Sequence, residues 1–267
     1  MEEPVTTVFE ELEPPDLPQD AVYTSCYCEE NVYLLCQRFL SLPNITENWH
    51  IWTVFISNVD KKVALFSQKA ARGDGLPVVW DYHVILLLQP KELLGCPPRD
   101  HPTIRQSDVP RIGARPWVYD FDTRLPVPCL WENYLTHTFP SDLLPEYTSS
   151  FRVISAQIYL SNFASDRSHM LVDVHPRDSD HNSGDCDRRK SEVNEKAALD
   201  KGREINEESR KLVYSAPTPP YEPLFGTAMR EGRVKTNLMS HFVCMESLPW
   251  TFGELVTRSE ISSRFLN

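Results

Sequence analysis

Thr24-Ser25-Cys26-Tyr27-Cys28-Glu29-Glu30-Asn31 is a short polar stretch with two cysteines, and behind it apolar residues recur at Val32, Leu35, Cys36, Phe39 and Leu40. That i, i+3, i+4, i+7, i+8 spacing predicts a helix burying one face, with Cys28 at or near its first turn. There the unsatisfied backbone N–H groups and the positive end of the helix dipole favour an anion, so a thiolate forms more easily than in water. The setting suits a nucleophile. Glu29 and Glu30 suit a helix start too, but they would oppose a thiolate if they faced it.

Downstream, Trp52 to Ser57 and Lys62 to Phe66 read as a hairpin around Asn58-Val59-Asp60. After a polar loop with Gly73-Asp74-Gly75, residues 77–88 form the strongest strand pattern, apolar at every position in its second half, as in a strand covered on both faces. Alternation puts Asp81 and His83 on one face and Trp80 and Tyr82 on the other. Residues 95–114 read as a loop insertion. Trp117 to Thr123 alternates as a strand with Asp120 and Asp122 on one face, Leu130 to Phe139 as a helix, and Phe151 to Leu160 as another strand. Thr251-Phe252-Gly253-Glu254 has the capping-box form and predicts the closing helix.

With 267 residues and 41% hydrophobic content, the chain supports one sizeable core with room for insertions. Residues 1–20, acidic and proline-bearing, read as a loose leader. Residues 21–267 read as a single catalytic domain, interrupted at 95–114 and again at 171–213, where dense charge without aromatics predicts disorder. The histidines and cysteine of that stretch, His175, His181 and Cys186, read as solvated side chains. A net charge of -11, from 27 Lys+Arg against 38 Asp+Glu, argues against nucleic acid as a partner. No run of 18 apolar residues occurs and the N-terminus is acidic, so neither a membrane span nor a secretory signal is expected. Seven cysteines, an odd number, then read as reduced thiols of the cytoplasm or nucleus. Cys26 and Cys28 form C-x-C rather than the C-x-x-C of zinc sites, and no metal is expected.

A cysteine nucleophile needs a base, and the base needs a group that fixes its tautomer. Cys28 at a helix start, His83 in an apolar strand and Asp120 in the next strand supply the three roles. A histidine and a carboxylate embedded among apolar residues are costly to bury unless they pair, which makes their hydrogen bond the natural expectation. Cys26 competes with Cys28 for the nucleophile and Asp122 with Asp120 for the carboxylate.

The blocks Ser25-Cys26-Tyr27-Cys28-Glu29-Glu30-Asn31, Val54-Phe55-Ile56-Ser57-Asn58, Trp80-Asp81-Tyr82-His83-Val84, Tyr119-Asp120-Phe121-Asp122-Thr123 and Asn162-Phe163-Ala164-Ser165-Asp166-Arg167-Ser168-His169-Met170 together resemble the protein N-terminal glutamine amidohydrolase family. The resemblance covers about 21–94, 115–170 and 214–267. It implies an α/β (α+β) fold of papain/transglutaminase-like type, mainly an antiparallel sheet flanked by helices. It also implies a monomeric, cofactor-free enzyme that deamidates N-terminal glutamine to glutamate and feeds the N-degron pathway. Its nucleophile falls on Cys28, its base on His83 and its orienting carboxylate on Asp120. This chain departs from the family pattern at 95–114 and 171–213, both longer than the family needs, and these departures leave the three triad positions intact.

For a carboxamide substrate the expected route is thiolate attack, loss of ammonia to a thioester, and hydrolysis. A free N-terminus implies a carboxylate for the α-ammonium, with Asp81, Asp122 and Asp166 as candidates; Ser25 and Tyr27 are further substrate-binding candidates. Expected partners are proteins or peptides with free N-terminal glutamine, with enzymes of the N-degron pathway beside them. A papain-like protease or transglutaminase would share the triad, although the Cys-Gly-Ser-Cys-Trp signature of papains is missing. A non-catalytic interaction protein on the same fold is the alternative from another class.

Overall fold

The computed structural model of the protein describes residues 12–91, 115–165, 167–174, 211–230 and 236–266. In chain order it contains α1 (Cys28–Leu40), α2 (Pro43–Asn48), β1 (Trp49–Ser57), β2 (Val63–Leu65), β3 (Val78–Trp80), β4 (His83–Pro90), β5 (Trp117–Tyr119), β6 (Cys129–Leu130), α3 (Trp131–Thr138), β7 (Ser150–Ser155), α4 (Ala156–Asn162), β8 (Leu171–Val174), β9 (Lys211–Tyr214), β10 (Glu254–Val256) and α5 (Arg258–Leu266). None of the described helices is long and apolar enough to cross a membrane.

Six strands form the central sheet in the order β10-β7-β1-β4-β5-β6, and all of its pairings are antiparallel. The fold is thus mixed α/β, with a mainly antiparallel sheet flanked by helices. Strand β4 explains the layering. Val84, Leu86 and Leu88 pack with Val32, Leu35, Cys36 and Phe39 of α1 and with Tyr159 of α4. Ile85 and Leu87, pointing the other way, pack with Trp131, Tyr134 and Leu135 of α3 and with Ile261 and Phe265 of α5. Both faces are covered, as the unbroken apolar run predicts. α1 also forms as its spacing predicts, with Glu29 and Glu30 in its first turn and Arg38 in its last, each complementing the dipole.

Long-range pairing and capping override several local expectations. β1 does not fold back on 62–66; it pairs with β4 and β7, while β2 pairs with β3. An apolar strand of nine residues gains more from two central neighbours than from a short hairpin. The 77–88 run is two strands rather than one, broken at Asp81-Tyr82, where the Asp81 carbonyl accepts a hydrogen bond from Ser57 Oγ (2.5 Å). The strict two-face alternation fails at that break: Tyr82 and His83 are both buried. β5 ends at Tyr119, so Asp120 begins a turn and is not mid-strand. β7 stops at Ser155, whose hydroxyl accepts the Ile158 N–H and starts α4 where a continued strand was expected. The capping box that opens α5 is Thr257-x-x-Glu260, six residues beyond Thr251-x-x-Glu254: Thr257 N donates to Glu260 Oε2 (2.6 Å) and Glu260 N to Thr257 Oγ1 (3.4 Å). Gly253, at φ +75°, makes the turn before β10, where a Cβ would stand 2.4 Å from the Val153 carbonyl oxygen.

The proposed insertions fall largely outside the described residues, 95–114 entirely and 171–213 except at its ends. Those ends pair as the antiparallel ladder β8–β9, with Leu171 opposite Tyr214. Of the leader, 1–11 lie outside, while Leu12 and Leu17 pack on the core and the Pro15 carbonyl accepts the Tyr119 hydroxyl.

Candidate active site

Cys28 is the first residue of α1, and the loop before it is held by the helix itself. Asn31 accepts the Thr24 N–H on Oδ1 and donates Nδ2 to the Thr24 carbonyl, both at 2.8 Å. That closure leaves Cys26 in the left-handed region at φ 68°, an unfavourable place for a side chain bearing a Cβ. Cys28 Sγ donates to Glu29 Oε2 (3.6 Å) and accepts a hydrogen bond from the Val84 backbone, which sets the thiol against the start of β4, next to His83. Burial pushes the thiol well above its ordinary value, and the charges of Glu29 and Asp122 push it the same way, so the resting group is a thiol.

His83 and Asp120 form the pair that their embedding predicts. Nε2 and Oδ1 are 2.9 Å apart, and the two residues are 2% and 1% exposed. Asp120 also accepts the Tyr134 hydroxyl on Oδ2 (2.8 Å) and the Asp122 N–H on Oδ1 (2.9 Å). Burial opposes charge on both partners. Even so, Asp120's charge and hydrogen bond raise the His83 imidazole above its usual range, and His83 with the other donors holds Asp120 below its own. The Trp80 ring covers the imidazole, centroids 4.8 Å apart.

His83, Asp120 and Asp122 bring one ligand atom each within 4.8 Å of one another, the grouping a metal ion would use. The donor set suits a proton relay better: His83 Nε2 and Asp120 Oδ1 are engaged with each other, and Asp120 Oδ2 with Tyr134.

The other predicted residues are spread around this centre. Asp122 is partly exposed, accepts the Tyr23 hydroxyl (2.6 Å), and has its carboxyl raised by burial. Asp81 Oδ1 accepts the Tyr82 N–H (3.2 Å). Ser25 is exposed, its hydroxyl 3.6 Å from Cys26 Sγ. Tyr27 contributes the helix start, but its ring is fully buried with Met170 and Ala216, under the Arg167 guanidinium. Asp166 lies outside the described residues.

Sequence reasoning misses three contributors. Tyr134, fourteen residues beyond Asp120 on another element, carries no local signal for its role. Glu29 and Glu30 are legible only as a pair, yet the structure separates them. Glu30 is clamped by Arg167 Nε and Nη2 and by Ser165 Oγ, all at 2.9 Å, whereas Glu29 Oε2 is met by Cys28 Sγ and by the Tyr82 hydroxyl at 3.0 Å.

The N-terminal glutamine amidase family model matches residues 23–265. Three relatives, each named protein N-terminal glutamine amidohydrolase, align with more than half of the chain. The one from Homo sapiens is 42% identical over 161 residues, 59% of this chain and 67% of the relative. That from Danio rerio is 42% identical over 163 residues, 60% and 66% respectively, and that from Drosophila mojavensis 41% over 153 residues, 57% and 64%. The aligned part thus spans about two thirds of each relative's length. With a match across nearly the whole described core, the chain belongs to the N-terminal glutamine amidase family, hydrolases of amide bonds.

Proposed function

We propose that the protein deamidates the side chain of an N-terminal glutamine to glutamate with release of ammonia, using Cys28, His83 and Asp120 as a catalytic triad. The observation that carries this reading is the buried His83–Asp120 hydrogen bond of 2.9 Å beside a cysteine at the first turn of α1. Asp120 orients the imidazole and supports its positive charge; His83 takes the Cys28 proton as the sulfur attacks the carboxamide carbon. The oxyanion is held by donors that include the Cys28 backbone N–H at the helix start. The imidazolium then protonates departing ammonia, leaving a thioester, and His83 activates the water that hydrolyses it to glutamate.

An α-ammonium requirement calls for a carboxylate near the thiol. Asp122, partly exposed and beside His83, meets it best, with Asp81 and Asp166 as further candidates and the exposed Ser25 as a further substrate contact. A papain/transglutaminase-like classification agrees with a cysteine at a helix start packed against the strand that carries the histidine, in a mainly antiparallel sheet. A monomer acting in the cytoplasm or nucleus, upstream of arginylation in the N-degron pathway, completes the reading.

The test is ammonia release, with mass detection of the one-dalton gain, from a Gln-initiated peptide beside acetylated-Gln and Asn-initiated controls. The expected result is release from the free Gln peptide alone. Cys28→Ser and His83→Ala are each expected to abolish it and Cys26→Ser to spare it. Substantial turnover by Cys28→Ser, or reaction of the acetylated peptide at the same rate, would overturn the assignment.

A further inference from the structure

The triad leaves the nearest carboxyl to the sulfur without a role. Glu29 is fully buried in the first turn of α1, its Oε2 at 3.6 Å from Cys28 Sγ and 3.0 Å from the Tyr82 hydroxyl. The titratable groups facing it are Cys28 and Glu30 on α1, Tyr27 before it, Tyr82 and His83 at the head of β4, and Tyr159 on α4, whose hydroxyl donates to the Glu29 carbonyl at 2.8 Å. Glu30 is held by Arg167. The contact between Glu29 and the sulfur creates a conflict of charge. Once Cys28 gives up its proton, an ionised Glu29 would stand against a sulfur anion in a site where repulsion is far less screened than in water. A protonated carboxyl in the same place reverses the hydrogen bond, its O–H donating to sulfur.

We propose that Glu29 is a positioning residue of the nucleophile, and that its carboxyl keeps a proton through the attack and donates it as a hydrogen bond to the Cys28 sulfur. The inference rests on Cys28 being the nucleophile. The proton count closes: the thiol proton passes to His83 and leaves with ammonia, while the Glu29 proton stays on the carboxyl throughout. Burial pushes the Glu29 carboxyl up to about 7, the charge of Glu30 adding to it and the bonds from Tyr82 and Cys28 pulling back. The donor form is therefore present below about pH 7 and lost above it.

The experiment follows alkylation of Cys28 by iodoacetamide against pH, located by peptide mass because the chain has seven cysteines, in wild type, Glu29→Gln, Glu29→Ala and Tyr82→Phe. Turnover of a Gln-initiated peptide is followed in parallel. Glutamine still offers an N–H but carries no charge, so Glu29→Gln should move the alkylation curve to lower pH and remove the fall in turnover above about pH 7. Glu29→Ala, lacking a donor, should alkylate roughly 10-fold more slowly than Glu29→Gln at pH 6. Tyr82→Phe removes a bond that favours the ionised carboxylate, so the fall in turnover should move to higher pH. Superposition of Glu29→Gln on wild type, or identical curves for the Gln and Ala variants, would overturn the proposal. Alkylation needs no glutamine substrate: the expected shifts without any turnover would uphold this role of Glu29 while sinking the N-terminal glutamine reading.

Discussion

Glu29 and Glu30 are adjacent, both wholly buried, and both in the first turn of α1, yet their surroundings are opposite. Glu30 faces the segment around Ser165 and Arg167, where a guanidinium meets both of its oxygens; the same Arg167 lies over the rings of Tyr27 and Tyr221 and donates to the Tyr221 carbonyl. Glu29 faces Cys28 and Tyr82, a thiol and a phenol, on the side of the proposed triad. One carboxyl is part of a saturated ion pair that fastens the helix start; the other is a weakly solvated acid beside the thiol proposed as nucleophile. Two consecutive helix positions point about 100° apart, and that rotation is enough to separate anchoring from chemistry.

The comparison can be broken first on the Glu30 side. Arg167→Met should cost about 3–5 kcal/mol, because it strands a buried carboxylate. Urea denaturation would measure this, and the double variant with Glu30→Gln should recover much of the loss; a cost below about 1 kcal/mol would mean the pair is not what fastens the helix.

On the Glu29 side the prediction has the opposite sign. Burial lifts the folded carboxyl from its ordinary 4.5 to about 7, so the native state holds its proton more tightly and stability falls as pH rises from 4.5 to about 7. Glu29→Gln should therefore be more stable than wild type by about 3 kcal/mol at pH 8, with little difference at pH 4. Equal denaturation midpoints for the two proteins at pH 8 would contradict it.

Asp120 lies between these cases, an ionised carboxylate engaged by His83 and supported by Tyr134. Tyr134→Phe should lower turnover and destabilise by about 1–3 kcal/mol, since it removes a hydrogen bond to a buried charge. The smallest effect is expected from Ser165→Ala, about 1 kcal/mol, because Arg167 still holds the Glu30 oxygen that Ser165 shares. A loss as large as that of Arg167→Met would assign the clamp to the hydroxyl.

Much of the site was legible because burial of polar groups is visible in sequence. His83 within an apolar run and Asp120 beside Tyr119 and Phe121 announce a pair, and the i, i+3, i+4 spacing after Cys28 announces its helix. The errors share a cause. At Ser155 and at Thr257 a local cap decided where one element ended and the next began, and at Asp81-Tyr82 a hydrogen bond from Ser57 split a run that alternation reads as continuous. Partners such as Tyr134 and Arg167 are distant in sequence from the carboxylates they serve, and no periodicity predicts them.

By itself the sequence determined that α1 exists with Cys28 at or near its first turn, that the strand of His83 is covered on both faces, and that the chain carries its family's motif blocks in order. These follow from periodicity and side-chain chemistry, which act over a few residues. Only the tertiary structure decided which strands neighbour β1, that His83 Nε2 meets Asp120, and that of two consecutive glutamates one is neutralised by Arg167 while the other turns to the sulfur. Those outcomes depend on what packs against each face, and that is set by partners far along the chain, 37 residues apart for His83 and Asp120 and 137 for Glu30 and Arg167.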